Sequence, residues 1–284
     1  MKVKYSTIIF IEVVLLFNAC RPKATPTQSI ISAPSMPTPI PVKSPAKITI
    51  MAAASLTEAF QELGKQFESQ YPNIKVQFNF AGSQQLAQQL VNNAPADVFA
   101  SASTKYIDIA VQSGRVDKND PATFANNRLV VIYPKDNPAG LKELIDLAKP
   151  GLKLILAAKE VPVGQYSLDF LDKASKNPSF GPSFKDDVLK NVVSYEDNVK
   201  SVLTKVVLGE ADAGIVYMSD ITGDPAIKVV GITIPDNLNV IAVYQITIIR
   251  DSQQIAFAKA FVDLVLSSTG QAIFAKYGFI MVTE

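Results

Sequence analysis

From Lys47 onward the chain alternates between two hydrophobic rhythms. Short runs with strand character, KITIMAA (47–53), KVQFNFA (75–81) and ADVFASA (96–102), are each followed by a run whose apolar residues recur every three to four positions. The first of those helical runs, SLTEAFQELGKQFESQY (55–71), places Leu56, Phe60, Leu63 and Phe67 on one face. SQQLAQQLVN and TKYIDIAVQSG complete three strand–helix units, the pattern of an α/β domain with a largely parallel sheet.

NRLVVIYPKDNP then reads as a long buried strand that stops at Pro134. A second series follows: helix LKELIDLA, strand LKLILAA, helix GQYSLDFLDKAS, strand VVSY, helix EDNVKSVLTKVVLGE and strand AGIVYM. A polar loop leads to the β-rich run VIAVYQITIIR, and two helices, QQIAFAKAFVDLVLSS and GQAIFAKYGF, close the chain. Two strand–helix series linked by long hydrophobic strands predict two lobes joined by crossovers. The expected division is 47–128 with 248–284 for lobe 1 and 129–247 for lobe 2. No internal repeat is visible.

The first 46 residues follow neither rhythm. Lys2 and Lys4 precede the apolar run STIIFIEVVLLF, which is too short to span a bilayer comfortably and carries Glu12; it reads as a secretory signal over 1–19. LLFNAC resembles a bacterial lipobox, with Phe17 and Asn18 in place of the usual aliphatic and small residues, and it marks Cys20 for acylation. Residues 20–46 carry Pro22, Pro26, Pro34, Pro37, Pro39, Pro41 and Pro45 and no acidic residue, a composition that forms a semi-extended spacer. At roughly 3 Å per residue its reach is on the order of 80 Å.

Composition narrows the chemistry. The 284 residues are 48% hydrophobic and 19% charged with a net charge of +1, which gives no basic surface for nucleic acid. The absence of histidine removes Ser-His triads and His-ligated zinc, and the single cysteine excludes an internal disulfide or thiolate cluster. Ser44-Pro-Ala-Lys47 matches the S-x-x-K pattern of some hydrolases, but it lies in the proline-rich spacer with no helix to position it.

The helix starts are more informative. Ser55-Leu-Thr-Glu58 reads as a capping box, with Ser55 at N-cap and Glu58 three residues on. Ser83 opens the second helix, Val161-Pro162-Val163-Gly164 precedes the helix at Gln165, Val199 follows the acidic pair Glu196-Asp197, and Tyr217 ends a strand. Unpaired first-turn N–H groups and the positive end of the helix dipole collect anions. Taken singly, each residue also has a plain structural role: Ser55 and Ser83 as caps, Gly82 and Gly164 as turn glycines, and Tyr217 as core with a wet hydroxyl.

Five blocks in order, AAASLTEAF, APADVFASAS, NRLVVIYPKDNP, VPVGQYSLDFL and GEADAGIVYMSD, resemble the periplasmic molybdate-binding proteins of ABC transporters, from about Lys47 to the C-terminal YGF. The resemblance implies a two-lobed α/β type II periplasmic-binding-protein fold, each lobe a mostly parallel sheet flanked by helices, with the ligand cleft between them. It implies a monomer that is no enzyme, needs no cofactor, and hands molybdate, and tungstate with it, to a membrane permease. It carries oxyanion binding to the hydroxyls of Ser55, Ser83 and Tyr217 and the main-chain N–H groups of Val163 and Val199, with no direct cation ligand. Two positions depart from the family pattern: Asn198 stands where aspartate is frequent, and Gly82 where another serine is common. Sulfate or another tetrahedral oxyanion is the alternative ligand. Location outside the cytoplasm, in the periplasm or at the cell surface on a lipid anchor, completes the expectation.

Overall fold

The computed structural model describes residues 46–223 and 227–282. The signal segment, Cys20 and the spacer up to residue 45 lie outside the described residues; Ala46, placed at the end of the spacer, already belongs to the first strand. No helix among the described residues is long and apolar enough to cross a membrane.

The first series folds as β1 (Ala46–Ala53), α1 (Thr57–Gln70), β2 (Ile74–Ala81), α2 (Ser83–Val91), β3 (Val98–Ser101) and α3 (Thr104–Gln112). A long strand, β4 (Ala122–Pro134), leads to the second series: β5 (Leu154–Ala157), α4 (Pro162–Ser175), α5 (Phe184–Lys190), β6 (Val192–Glu196), α6 (Val199–Val207), β7 (Ala213–Tyr217) and β8 (Val229–Thr233). The chain finishes with β9 (Ile241–Ile248), α7 (Ile255–Leu266), α8 (Ser268–Lys276) and β10 (Ile280–Met281). The strands are ordered β2-β1-β3-β9-β4-β7-β5-β6, with β8 and β10 also on β4. The pairs β1–β2, β1–β3, β5–β6 and β5–β7 are parallel as expected, whereas β9 runs antiparallel to β3 and β4, and β4 antiparallel to β7 and β8.

β4 is shared between two halves. Ala122–Arg128 pairs with β9, and from Leu129 onward the same strand pairs with β7 and β8. Because β9 pairs with β3 and the early part of β4, sheet pairing places 241–247 with the first half, ahead of the boundary expected at 247/248. The return crossing therefore falls near Asn239, whose side chain substitutes for a strand. Its Oδ1 accepts from Leu129 N (2.9 Å) and Val240 N (2.8 Å), and its Nδ2 donates to Leu129 O (3.0 Å) and Ile234 O (3.2 Å). A fully satisfied buried amide joins both crossings at one point.

Three local readings change. LKELIDLA forms only a 3-10 turn over Leu144–Ala148. α5 interrupts what read as a connection, because its seven residues are too few to show a helical period. The polar loop after AGIVYM contains β8, which pairs with β4 and, beyond a buried Val229, alternates half-buried and exposed residues. The face anticipated for α1 is intact: Leu56, Phe60, Leu63 and Phe67 are fully buried. The Phe60 ring packs against Phe78, Phe124, Phe261 and Phe274 at centroid distances of 6.3, 6.0, 5.8 and 6.1 Å. That aromatic cluster fixes α1, and with it the strand-to-helix turn at Ser55, against both C-terminal helices.

Candidate functional site

A small cavity lies where the two halves meet. Its lining includes Ser55, Ser83, Val163, Val199 and Tyr217, so all five residues singled out from the sequence are brought together. Ala53, Ala54, Ala81, Gly82, Ala102, Val161, Pro162 and Asn198 complete the wall, and none of these residues is charged. About 210 Å³ of atom-free space lies within it, mouth included.

Each donor is placed by its element. β1 ends at Ala53 and passes into a 3-10 turn, Ala54–Leu56, before α1 begins at Thr57. Ser55 therefore is not the N-cap of α1, and the expected capping box does not form. Thr57 Oγ1 instead donates back to the Ala54 carbonyl at 2.7 Å, while Ser55 Oγ lies 2.8 Å from Tyr244 Oη. Glu58, the other half of that box, reaches across to Lys200. The local Ser-x-x-Glu signal lost to partners 189 and 142 residues away.

Ser83 is the first residue of α2, with Gly82 as its cap and the Gln85 side chain accepting from Gly82 N at 3.2 Å. Ser83 Oγ accepts from Ala102 N at 3.1 Å, which leaves its own hydrogen free for another acceptor. α4 begins at Pro162, earlier than the sequence suggested; proline suits N1, where no N–H is needed. Val163 thus sits in the first turn. Gly164 allows that turn to press on β5, since a methyl there would fall on the carbonyls of Ala157 and Ala158. Val199 opens α6, capped by Asn198 Oδ1 accepting from Ser201 N at 3.0 Å. Among the described residues, neither the Val163 nor the Val199 N–H donates to a turn, cap or side-chain acceptor.

Tyr217 is 1% exposed, and its hydroxyl is a buried polar atom without a hydrogen-bond partner. Its ring stands edge-on to Tyr244 at 6.0 Å. Burial first, and then the neighbouring Tyr244, push the Tyr217 phenol well above the ordinary tyrosine range. Burial does the same for Tyr244. Both hydroxyls therefore stay protonated and keep a hydrogen to donate.

Contacts between the halves surround the cavity. Gln84 Nε2 donates to the Asp197 carbonyl (2.8 Å) and Gln85 Nε2 to the Asp197 carboxylate (3.1 Å). A methyl at Gly82 would lie 2.5 Å from that same carbonyl, so glycine permits this approach. Tyr106 Oη donates to the Glu160 carbonyl on the opposite flank. Lys200 Nζ meets Glu58 at 2.8 and 2.9 Å and Asp220 Oδ1 at 3.2 Å. Burial works against the Lys200 charge, but the Asp220 and Glu58 carboxylates outweigh it and hold its pKa above the ordinary value. Asp220 is raised by its burial. Tyr244, Asp220 and Lys200 carried no sequence signal, because their importance lies in long-range contacts from an ordinary strand, turn and helix.

Comparison with known proteins places this geometry in context. Residues 48–280 match a family described as bacterial extracellular solute-binding protein. The molybdate-binding protein ModA of Mycobacterium tuberculosis (strain ATCC 25618 / H37Rv) is 36% identical over 239 residues, covering 84% of this chain and 86% of that protein. Among solved structures, the periplasmic molybdate-binding protein of Azotobacter vinelandii aligns at a TM-score of 0.70 and 21% identity, over 83% of this chain and all of that one (100%). The sulfate-binding protein SubI of Mycobacterium tuberculosis H37Rv aligns at 0.74 and 19% identity, over 84% and 87%. These likenesses give the fold: the α/β type II periplasmic-binding-protein fold.

The buried phenols make an alkaline prediction. A tyrosine whose folded pKa is raised contributes stability that is complete below its unfolded value, about pH 10, and is lost as pH rises beyond it. The thermal midpoint of the wild type should fall as pH passes about 10, and Tyr217→Phe should flatten that fall. Equal alkaline losses in the two proteins would contradict the placement of Tyr217.

Proposed function

Because the chain belongs to the bacterial extracellular solute-binding protein family, we propose that it is an extracytoplasmic receptor for molybdate, and for tungstate with it, serving an ABC permease. The observation that carries this reading is the convergence of uncharged donors from both halves on one cavity containing the unpartnered hydroxyl of Tyr217. A tetrahedral dianion moved out of water must replace its hydration shell with donors. Ser55, Ser83, Tyr217 and the first-turn N–H groups of Val163 and Val199 supply them. Either hydroxyl of the Ser55–Tyr244 pair can be the donor; with Tyr244 donating, the Ser55 hydrogen is free for the ligand.

Charge-assisted hydrogen bonds contribute about 1.5–3 kcal/mol each. Five to seven of them, less the cost of closure, leave roughly 8–12 kcal/mol, the range of micromolar to nanomolar binding. The two sheet halves act as lobes, 46–128 with 240–282 and 129–239, turning about the Asn239–Leu129 junction. The oxyanion stabilises the closed arrangement by bridging donors from both. The molybdate-binding relative, at 36% identity, favours molybdate over sulfate, while the fold likeness alone fits both.

The protein works as a monomer, held at the membrane by an acylated Cys20 on its proline-rich spacer. Intact-mass measurement of the mature protein should show an N-terminal cysteine bearing acyl chains; an unmodified or missing Cys20 would sink the anchor. Molybdate at a hundred times Kd should stabilise the wild type by about 2.7 kcal/mol. The Ser55→Ala/Ser83→Ala double variant loses two donors, so its molybdate affinity, read by tyrosine fluorescence, should fall at least about tenfold. Unchanged affinity in a folded double variant would show that the site lies elsewhere.

A further inference from the structure

Lys200 lies outside the cavity wall, on the adjoining groove with Thr57, Ser201 and Lys205. Yet its ammonium group ties together the segments that carry three of the five candidate donors, Ser55, Val199 and Tyr217. It follows Val199 directly on α6. Across the cleft it pairs with both oxygens of Glu58, three residues after Ser55. Within its own half it meets Asp220 Oδ1 at 3.2 Å, and Asp220 Oδ2 accepts from the backbone N–H of Tyr217 at 3.1 Å. Apart from Arg128–Asp236 at the strand crossing itself, Lys200–Glu58 is the ion pair that joins the halves among the described residues.

Two roles are physically distinct here. As a remote positive charge, Lys200 would attract a dianion through space, and Glu58 would oppose it. As a clamp, Lys200 needs Glu58, because the pair exists only while the halves are together. The geometry favours the clamp. Both Glu58 oxygens are engaged, and the ammonium of Lys200, whose side chain is 22% exposed, is shared between Glu58 and a fully buried Asp220. Two carboxylates already balance that single charge, so little of it remains to act at a distance.

We infer that Lys200 is a positioning residue for oxyanion capture: its bridge to Glu58 holds the halves shut over the cavity, and its bridge to Asp220 fixes the strand end that presents Tyr217. This rests on the reading of the cavity as a molybdate site. A clamp acts after encounter, so it governs release and leaves association nearly untouched.

The test is Glu58→Gln, which keeps shape and removes the charge. Stopped-flow tyrosine fluorescence with molybdate should show dissociation about three- to fivefold faster, with association changed by less than about twofold. Lys200→Arg should keep the wild-type rate. Unchanged or slower dissociation in Glu58→Gln would overturn the clamp, slower release being the mark of a repulsive carboxylate. In the ligand-free protein, amide hydrogen exchange over 53–60 and 197–203 should quicken in Glu58→Gln while α7 stays unchanged. If the wild type gives no response to molybdate, the molybdate reading fails by itself. The exchange result then decides the clamp, which unchanged protection over both segments would overturn.

Discussion

The constraint on which this molecule turns is that the first-turn N–H groups at α4 and α6 meet three hydroxyls in one cavity lined by no charged side chain. Buried donors without acceptors are costly unless something fills the space between them. Meeting that constraint takes most of the architecture. Strands β1 and β5, each parallel to its own neighbours but opposite in direction to one another, deliver the chain to helix starts on the two sides of the cavity, at carboxyl ends of strands, where open α/β sheets hold ligands. Gly164 lets α4 sit tight against β5, and Gly82 lets the start of α2 approach Asp197 from the other half. The Phe60 cluster and the Asn239 junction hold the two walls to one geometry.

Much of this is legible in the sequence. The period of three to four marked the buried face of α1, and the order of strands and helices gave two α/β series. The five cavity residues stood out as helix starts and a strand end, and the family resemblance joined them. What remained hidden was non-local. Ser55 looked like a cap because Glu58 lies at the right spacing, but their partners, Tyr244 and Lys200, come from remote segments. β8 and α5 were missed because one is short and half-exposed and the other has under two full turns. Asn239 gave no signal, since an asparagine in a polar stretch reads as a turn until its four backbone partners are known.

The same facts separate two kinds of work in the site. Hydroxyls and helix amides make the wall, while charged groups stand one layer behind it and act on the halves. Glu58, Lys200 and Asp220 never line the cavity, and neither do Gln84 or Tyr106, which bridge its flanks. On the reading proposed above, recognition by neutral donors would make binding depend on shape and acceptor geometry, and selectivity among tetrahedral dianions would rest on cavity size instead of on net charge.

The most direct measurement is calorimetric titration of the wild-type protein with molybdate, repeated in the presence of competing sulfate. One molybdate should bind per chain with sub-micromolar affinity, and sulfate should compete at least about tenfold more weakly. No heat on adding molybdate, or sulfate binding as tightly or more tightly, would contradict a molybdate site at this cavity.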